Sequence, residues 1–193
     1  NLNTKIKQKF PVVKKNNDAL NILFMNLSGY FTEDTDSQER VLMEPPLGLI
    51  AILSYLNREY KEKINGKIVK SRFDFDGYPE MVKMIKDFEP DIIGISVMTF
   101  YKDFVHRAIN YIREHGIETP IFLGGPYPTG DYKQVLQDQN LDICMLGEGE
   151  VTLTELVSYM INNGNKLPSI DILKKIPGIA FSENNLRMQS VSR

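Results

Sequence analysis

The sequence is poor in the residues that hold metals and cross-links. Its 193 residues include one cysteine, Cys144, and two histidines, His106 and His115. A single cysteine excludes a disulfide within the chain, a cysteine-rich zinc site and an iron–sulfur cluster held by this chain alone. It fits a reducing compartment, so we expect a cytoplasmic protein.

A basic excess is also missing, because 23 Lys and Arg residues face 25 Asp and Glu residues. Nucleic-acid-binding domains normally carry such an excess, so we expect no nucleic-acid partner. The longest apolar run, residues 47–53, is far too short to cross a bilayer, and the lysine-rich residues 1–20 have no apolar centre typical of a signal peptide. We expect no membrane association.

The chain is long enough to bury a core, and its length suits one domain with extensions. We predict a polar leader at 1–20, an α/β domain at 21–164 and a C-terminal extension at 165–193. Apolar runs predict five strands in that domain. These are residues 21–27, 67–75, 91–97, 120–123 and 141–146.

Helical periodicity predicts a helix after each strand. The first covers 47–58, and the second opens at Pro79 and ends before Pro90. The third ends at an αL cap on Gly116. Asp131 caps a short fourth helix, and a capping box at 152–155 opens the fifth.

Residues 177–182 and 186–189 predict two more strands around a turn. The alternation as a whole predicts an α/β fold, namely a flavodoxin-like, Rossmann-like, doubly wound parallel five-stranded sheet with a small C-terminal strand pair. By analogy the strand order would be 2-1-3-4-5.

Ligands of such sheets bind outside the carboxyl ends of the strands. Four segments with unusual composition follow strands one, three, four and five of the predicted sheet. Their candidate cofactor-binding residues are Ser28, Pro46, Leu47, Ser96, Val97, Met98, Thr99, Gly124, Gly125, Pro126, Tyr127, Pro128, Thr129, Gly147, Glu148, Gly149 and Glu150. Each segment also has a purely structural interpretation. In the order of the strands, these are a loop excursion, ordinary strand-end hydroxyls, a tight turn and a solvated acidic pair.

The same edge lacks the common nucleotide motifs. No G-x-G-x-x-G follows the first strand, and no G-x-x-x-x-G-K-[ST] occurs. Residues 96–99 offer no acid for a phospho-acceptor, and residues 27–32 carry too many aromatic residues for a flavin phosphate loop. The edge suits a large, flat, amide-rich ligand better than a nucleotide.

Five segments in fixed order carry a resemblance. They are P-P-L-G-L (45–49), P-D-I-I-G-I-S (90–96), G-G-P-Y-P-T (124–129), G-E-G-E-V-T (147–152) and I-P-G-I (176–179). Together they resemble the N-terminal cobalamin-binding domain of cobalamin-dependent radical S-adenosylmethionine enzymes, over roughly residues 20–182.

The resemblance implies that vitamin B12 is held at the strand ends of a flavodoxin-like sheet. Ser96 and Thr99 would be hydroxyl partners of the dimethylbenzimidazole tail. Gly124 and Gly125 would let the tail pass close to the backbone, since a Cβ would block it. Leu47 and the loop at 28–46 would lie under the corrin ring, with residues 147–150 at the rim.

The sequence also departs from related cobalamin proteins. It lacks D-x-H-x-x-G, and both histidines fall in the predicted third helix as surface residues, so we expect no histidine ligand below cobalt. Tyr127 stands where many relatives have histidine. No metal-ligating or catalytic residue is predicted in this chain.

The family's C-x-x-x-C-x-x-C motif is absent too, and Cys144 falls in a predicted buried strand as an inert thiol. The [4Fe–4S] cluster and S-adenosylmethionine would therefore belong to an absent downstream radical domain, acting in cis. The full enzyme would be a methyltransferase or an oxidative cyclase. Two alternatives stay open: a degenerate domain that only contacts a partner, and a flavin-binding domain.

Overall fold

The sheet has six strands in the order β2-β1-β3-β4-β5-β6. The structure, a computed structural model, describes residues 18–34 and 44–187. The strands are β1 (Leu20–Asn26), β2 (Ile64–Lys70), β3 (Ile92–Ser96), β4 (Ile121–Gly124), β5 (Ile143–Met145) and β6 (Ile179–Phe181). The first five are parallel, and β6 runs antiparallel to β5. The doubly wound fold and the predicted order 2-1-3-4-5 are confirmed.

Helices cover both faces of this sheet. They are α1 (Leu47–Tyr60), α2 (Tyr78–Phe88), α3 (Lys102–Glu114), α4 (Pro126–Val135), α5 (Gly149–Asn162) and the short α6 (Ile170–Leu173). One hydrophobic cluster lies between the sheet and α2, α3 and α4. The other lies between the sheet and α1, α5 and α6. No helix in the described part of the chain is long and apolar enough to cross a membrane.

Strand β3 is buried on both faces because helices cover each side of the sheet, with Ile92 in one hydrophobic cluster and Ile93 and Ile95 in the other. Its apolar run Ile92–Ser96 reflects that position. Helix α3 ends as predicted, with Gly116 in the left-handed region at φ 75°. These elements were predicted well because their signals are local.

Several predicted boundaries are wrong. Strand β2 starts earlier than predicted and ends at Lys70, and residues 71–75 form a turn. Helix α4 begins at Pro126, and Asp131, predicted as its cap, lies at a kink within it with φ −148°. The predicted capping box is also wrong, because Thr152 is buried inside α5 and donates a hydrogen bond to the Pro177 carbonyl at 3.1 Å.

Within the described residues, the predicted C-terminal strand pair is a single strand that extends the main sheet. Residues Ile179–Phe181 pair with β5, whereas Leu186 and Arg187 lie outside any strand. Residues 188 and 189 of the predicted second strand, the predicted leader up to residue 17 and part of the predicted loop (35–43) lie outside the described residues.

A buried ion pair holds the chain after β6 against the start of β5. The carboxylate of Asp142 accepts hydrogen bonds from the Arg113 guanidinium at 2.8 Å, the Arg187 backbone N–H at 2.7 Å and the Ile121 backbone N–H at 2.8 Å. Asp142 is fully buried and the Arg113 side chain is nearly so. Burial lowers the pKa of Arg113 to about 10, although Asp142 opposes this shift. The network anchors the edge of the sheet opposite the strands' carboxyl ends.

Candidate functional site

A cavity of about 190 Å³ opens at the carboxyl edge of the sheet, between the sheet and helices α1 and α5. Both helices start at this edge, so their first turns form its mouth. The cavity is lined by Phe24, Gly48, Leu49, Ile52, Ile92, Gly94, Ile95, Ser96, Phe122, Gly124, Gly125, Met145, Gly147, Glu148, Gly149, Glu150 and Leu153. For comparison, an apolar cavity of about 150 Å³ takes up benzene.

The floor of the cavity is one face of the central strands. Alternate residues of a strand face the same side, which brings Phe24 of β1, Ile92 of β3 and Phe122 of β4 together. All three side chains are at most 2% exposed. The backbone of β3 bonds to β1 on one side and to β4 on the other. The floor therefore presents carbon surface and almost no free hydrogen-bonding group.

Two glycines in this floor have different surroundings. A Cβ on Gly94 would lie 2.7 Å from Cδ1 of Phe24, so the Phe24 ring already uses that space. A Cβ on Gly124 would meet only the Met145 Cβ, at 3.7 Å, an ordinary van der Waals contact. The space in front of Gly124 is therefore open to a ligand.

Gly125 has a structural requirement of its own. Its φ of 104° lies in the left-handed region that side chains rarely adopt. A Cβ there would also lie 2.7 Å from the Val97 carbonyl oxygen. The close approach of the loops after β3 and β4 thus explains this glycine without any ligand.

The mouth carries the cavity's polar groups. Ser96 ends β3 and is half-buried, while Glu148 and Glu150 flank the first residue of α5. Among the described residues, no lysine, arginine or histidine lines the cavity. The opening is thus mildly acidic and the interior is apolar, so the cavity suits a neutral aromatic group better than a phosphate.

Exposed apolar side chains surround the same edge. Leu47 begins α1, Val151 lies in the first turn of α5, and Phe100 follows β3, with exposures of 68%, 71% and 83%. The Phe100 carbonyl accepts a hydrogen bond from the Tyr30 hydroxyl at 3.2 Å, which joins the loops after β1 and β3. We call Leu47, Phe100 and Val151 the apolar rim.

The structure places the predicted candidates in two groups. Those that line the cavity are Ser96, Gly124, Gly125, Gly147, Glu148, Gly149 and Glu150. Those that lie at the same edge without lining it are Ser28, Pro46, Leu47, Val97, Met98, Thr99, Pro126, Tyr127, Pro128 and Thr129. Thr129 supports the site indirectly, since its hydroxyl accepts a hydrogen bond from the Gly147 N–H at 3.1 Å.

Sequence reasoning missed the interior of the cavity. Its missed lining residues are Phe24, Gly48, Leu49, Ile52, Ile92, Gly94, Ile95, Phe122, Met145 and Leu153. Apolar residues within a strand are ordinarily interpreted as core residues, so their pattern did not indicate a cavity. Only the glycine in the middle of β3, Gly94, could have signalled unusual packing there.

His106 lies in α3, as predicted, but is not a simple surface residue. Its Nδ1 is 2.6 Å from the Asp138 carboxylate and its Nε2 is 3.1 Å from the Tyr127 hydroxyl. Burial raises the pKa of Asp138, but the hydrogen bonds from His106 and Asn140 outweigh it, and the pKa lies below its ordinary value. This group lies on the α3 and α4 side of the sheet, away from the cavity.

Cys144 lies in β5 and is fully buried, in agreement with the predicted core position. Burial raises the pKa of its thiol to about 12, so it stays protonated at neutral pH. Within residues 18–34 and 44–187, no three His, Cys, Asp or Glu side chains come close enough together to hold a metal ion.

The sequence matches the family model described as the B12 binding domain over residues 39–157. An uncharacterized methyltransferase of Pyrococcus horikoshii is 28% identical over 141 residues, which cover 72% of this chain and 28% of the relative. The cytidylyl-2-hydroxyethylphosphonate methyltransferase of Streptomyces wedmorensis is 31% identical over 111 residues, or 57% of this chain and 20% of the relative. The chain thus spans less than a third of these relatives' lengths.

Solved structures show the same fold. The radical S-adenosylmethionine methyltransferase TsrM of Kitasatospora setae, with cobalamin and a [4Fe–4S] cluster bound, has a TM-score of 0.64 at 16% identity, over 86% of this chain and 28% of that one. The cobalamin-dependent S-adenosylmethionine radical enzyme OxsB has a TM-score of 0.60 at 18% identity, over 86% of this chain and 21% of that one.

Proposed function

Since the chain belongs to the B12-binding domain family, we propose that its cavity takes up the nucleotide tail of cobalamin. The observation that carries this proposal is the open, apolar space in front of Gly124 at the carboxyl edge. That edge is where doubly wound sheets bind their ligands. When bound, cobalamin supplies methyl-transfer or one-electron chemistry at its cobalt; the chain supplies position and shielding.

The residues present fit such a ligand. A cavity of 190 Å³ is large enough for a flat aromatic base and far too small for a corrin ring. The base would therefore enter the cavity between Phe24, Phe122 and Leu153, while the corrin ring would remain outside. There the apolar rim would cover its flat face and exclude water from it.

Polar contacts to the tail would come from the strand ends. We propose that the Ser96 hydroxyl meets the nucleotide where it enters the cavity, because Ser96 is the polar residue that ends the central strand. Thr99, in the turn after β3, would reach the tail outside the cavity. Gly124 would leave room for the base, and Gly147, with nothing within 4 Å of its Cβ position, would let the tail pass close to the backbone before α5.

No histidine would bind cobalt from below. His106 is already engaged by Asp138 and Tyr127, and His115 stacks on Tyr111 with ring centroids 4.1 Å apart. The lower face of the corrin would instead rest on side chains of the edge loops.

We propose that the chain is the cobalamin-binding part of a larger cytoplasmic enzyme. The predicted domain, residues 21–164, would continue through α6 and β6, which pack against and extend the same sheet, and the residues after β6, up to 193, would lead to a radical S-adenosylmethionine domain in the same polypeptide. That domain would hold the [4Fe–4S] cluster and catalyse methyl transfer or a related radical reaction. Relatives described as methyltransferases and as an anaerobic magnesium-protoporphyrin IX monomethyl ester cyclase of Synechocystis support this assignment.

The test is a titration of the purified 193-residue chain with hydroxocobalamin, followed by the corrin absorption spectrum. We expect a saturable spectral change at micromolar ligand with one equivalent bound. No saturable change at several hundred micromolar, with the protein shown to be folded by circular dichroism, would refute cobalamin binding. It would favour the alternative of a degenerate domain that only contacts a catalytic partner.

A further inference from the structure

Cobamides, the natural relatives of cobalamin, share the corrin ring but differ in the base of the nucleotide tail. Benzimidazoles, purines such as adenine and simple phenols are the chemical classes of such bases. Their shapes are similar enough for one cavity, but they carry different numbers of polar atoms. The structure of the cavity interior therefore bears on which class this chain accepts.

The described residues in the deep part of the cavity offer no good hydrogen-bond partner to a polar base. Phe24, Ile92, Phe122 and Leu153 are all at most 4% exposed, and their side chains contain only carbon and hydrogen. Met145, beside them, adds a thioether, which is a weak acceptor and no donor. The described side chains of the interior thus include no good hydrogen-bond donor.

The backbone of the floor cannot make up for this. Strands β1, β3 and β4 each have neighbours on both sides, so their N–H and C=O groups are used within the sheet. The polar groups of the cavity, Ser96, Glu148 and Glu150, lie at the mouth. A base that fills the interior leaves its own polar atoms without partners.

Leaving a buried donor or acceptor unpaired weakens binding, by roughly 5- to 150-fold for each group. Adenine attached through one ring nitrogen retains three other ring nitrogens and an amino group. A benzimidazole retains one ring nitrogen, and a phenol attached through its oxygen retains none. The penalty therefore falls mainly on adenine.

Resting on the proposed function, we infer that this chain selects cobamides with a benzimidazole or phenolic base and rejects those with a purine base. The selection arises from the unpaired polar atoms of the purine and requires no clash. A polar side chain introduced into the cavity interior would weaken this selection against purine bases.

The test compares four corrinoids by spectral titration of the 193-residue chain: cobalamin, adeninylcobamide, a phenolic cobamide and cobinamide, which lacks the base. We expect adeninylcobamide to bind at least tenfold more weakly than cobalamin, and the phenolic cobamide to bind as tightly as cobalamin. Cobinamide should bind more weakly than cobalamin, because it leaves the cavity unfilled.

The Met145→Gln variant provides a second measurement. Glutamine has nearly the length of methionine and adds a donor and an acceptor inside the cavity. We expect this variant to lower the ratio of the adeninylcobamide dissociation constant to the cobalamin dissociation constant severalfold. The matched control is Met84→Gln in α2, where Met84 packs against the cluster on the other face of the sheet. That control should leave the ratio unchanged.

The outcomes separate this inference from the function on which it rests. If no corrinoid binds, the proposed function fails and the inference fails with it. If all four bind equally, or if adeninylcobamide matches cobalamin, the chain binds corrinoids but the inference about its cavity is overturned. An equal change of the ratio in both glutamine variants would also overturn it.

Discussion

Replacing Gly124 with valine tests whether the space in front of this residue is required for cobalamin binding but not for folding. Gly124 ends β4 on the same face of the sheet as Phe122. Its φ lies outside the left-handed region, and a Cβ there would contact only Met145, at an ordinary distance. The Gly124→Val variant should therefore fold, with a free energy of unfolding within about 1 kcal/mol of the parent.

The effect on cobalamin binding follows from the cavity volume. A methyl group is about as large as a water molecule, whose share of liquid volume is about 30 Å³, so the three added carbons would fill roughly half of the 190 Å³. An aromatic group of this kind buries about 150–250 Å². At about 25 cal/mol per Å², full burial stabilises the complex by about 4–6 kcal/mol. Losing half of that weakens binding by roughly 30- to 150-fold.

Parallel titrations of the parent and the variant with hydroxocobalamin and cobinamide measure this effect. The valine should weaken cobalamin binding by roughly 30- to 150-fold. It should leave the cobinamide dissociation constant within about twofold of the parent's, since cobinamide has no base to exclude. Gly130→Val is the matched control, because Gly130 lies in α4 with nothing near its Cβ position and does not line the cavity. Unchanged cobalamin affinity in a folded Gly124→Val variant would refute the placement of the base.

Three further changes test the fold around the site. Gly125→Ala should lower the free energy of unfolding by about 1–3 kcal/mol, as judged by urea denaturation, because of its φ of 104° and the nearby Val97 carbonyl; no loss would contradict the stated contact. Asp142→Asn should lower it by about 3–5 kcal/mol, since Arg113 would lose its buried counter-charge, and a loss below about 1 kcal/mol would contradict this. Asp138→Asn tests a pH dependence. The stabilisation by the Asp138 carboxylate is complete above its unfolded-state pKa of about 3.9 and is lost as the pH falls through its lower folded-state pKa. The denaturation midpoint of the variant should therefore fall less steeply than that of the parent below about pH 4, and parallel curves would argue against the role of His106.

The elements that local patterns specify were predicted from the sequence. Strand β3 was predicted because both of its faces are buried, and the end of α3 because Gly116 alone suffices to mark it. The carboxyl edge was predicted as the site because glycines and hydroxyls follow several strands at once. Of the predicted candidates, Ser96, Gly124, Gly125 and residues 147–150 line the cavity.

The errors occurred where a distant part of the chain decides the local structure. Thr152 resembles a helix cap, but its hydroxyl bonds to Pro177, far away in sequence. Residues 179–181 were expected to pair with the segment just after them, and instead they pair with β5. The prolines at 126 and 128 suggested a turn, although a proline at the first position of a helix is also favourable.

The cavity interior was missed for a similar reason. Phe24, Ile92 and Phe122 belong to apolar strands, and a sequence pattern does not distinguish an apolar residue that faces a cavity from one that faces packed side chains. Only the three-dimensional arrangement shows that helices α1 and α5 leave space above these residues near the edge of the sheet.

The contact between Phe24 and Gly94 couples the substitutions that are tolerated at two positions 70 residues apart in sequence. Any side chain at position 94 would overlap the Phe24 ring, whose Cδ1 lies 2.7 Å from the Cβ position. A mutation that adds a side chain at 94 becomes tolerable only with a smaller residue at 24. Among related sequences, positions 24 and 94 should therefore change together. Each paired exchange would transfer side-chain volume from β1 to β3 and preserve the depth of the cavity.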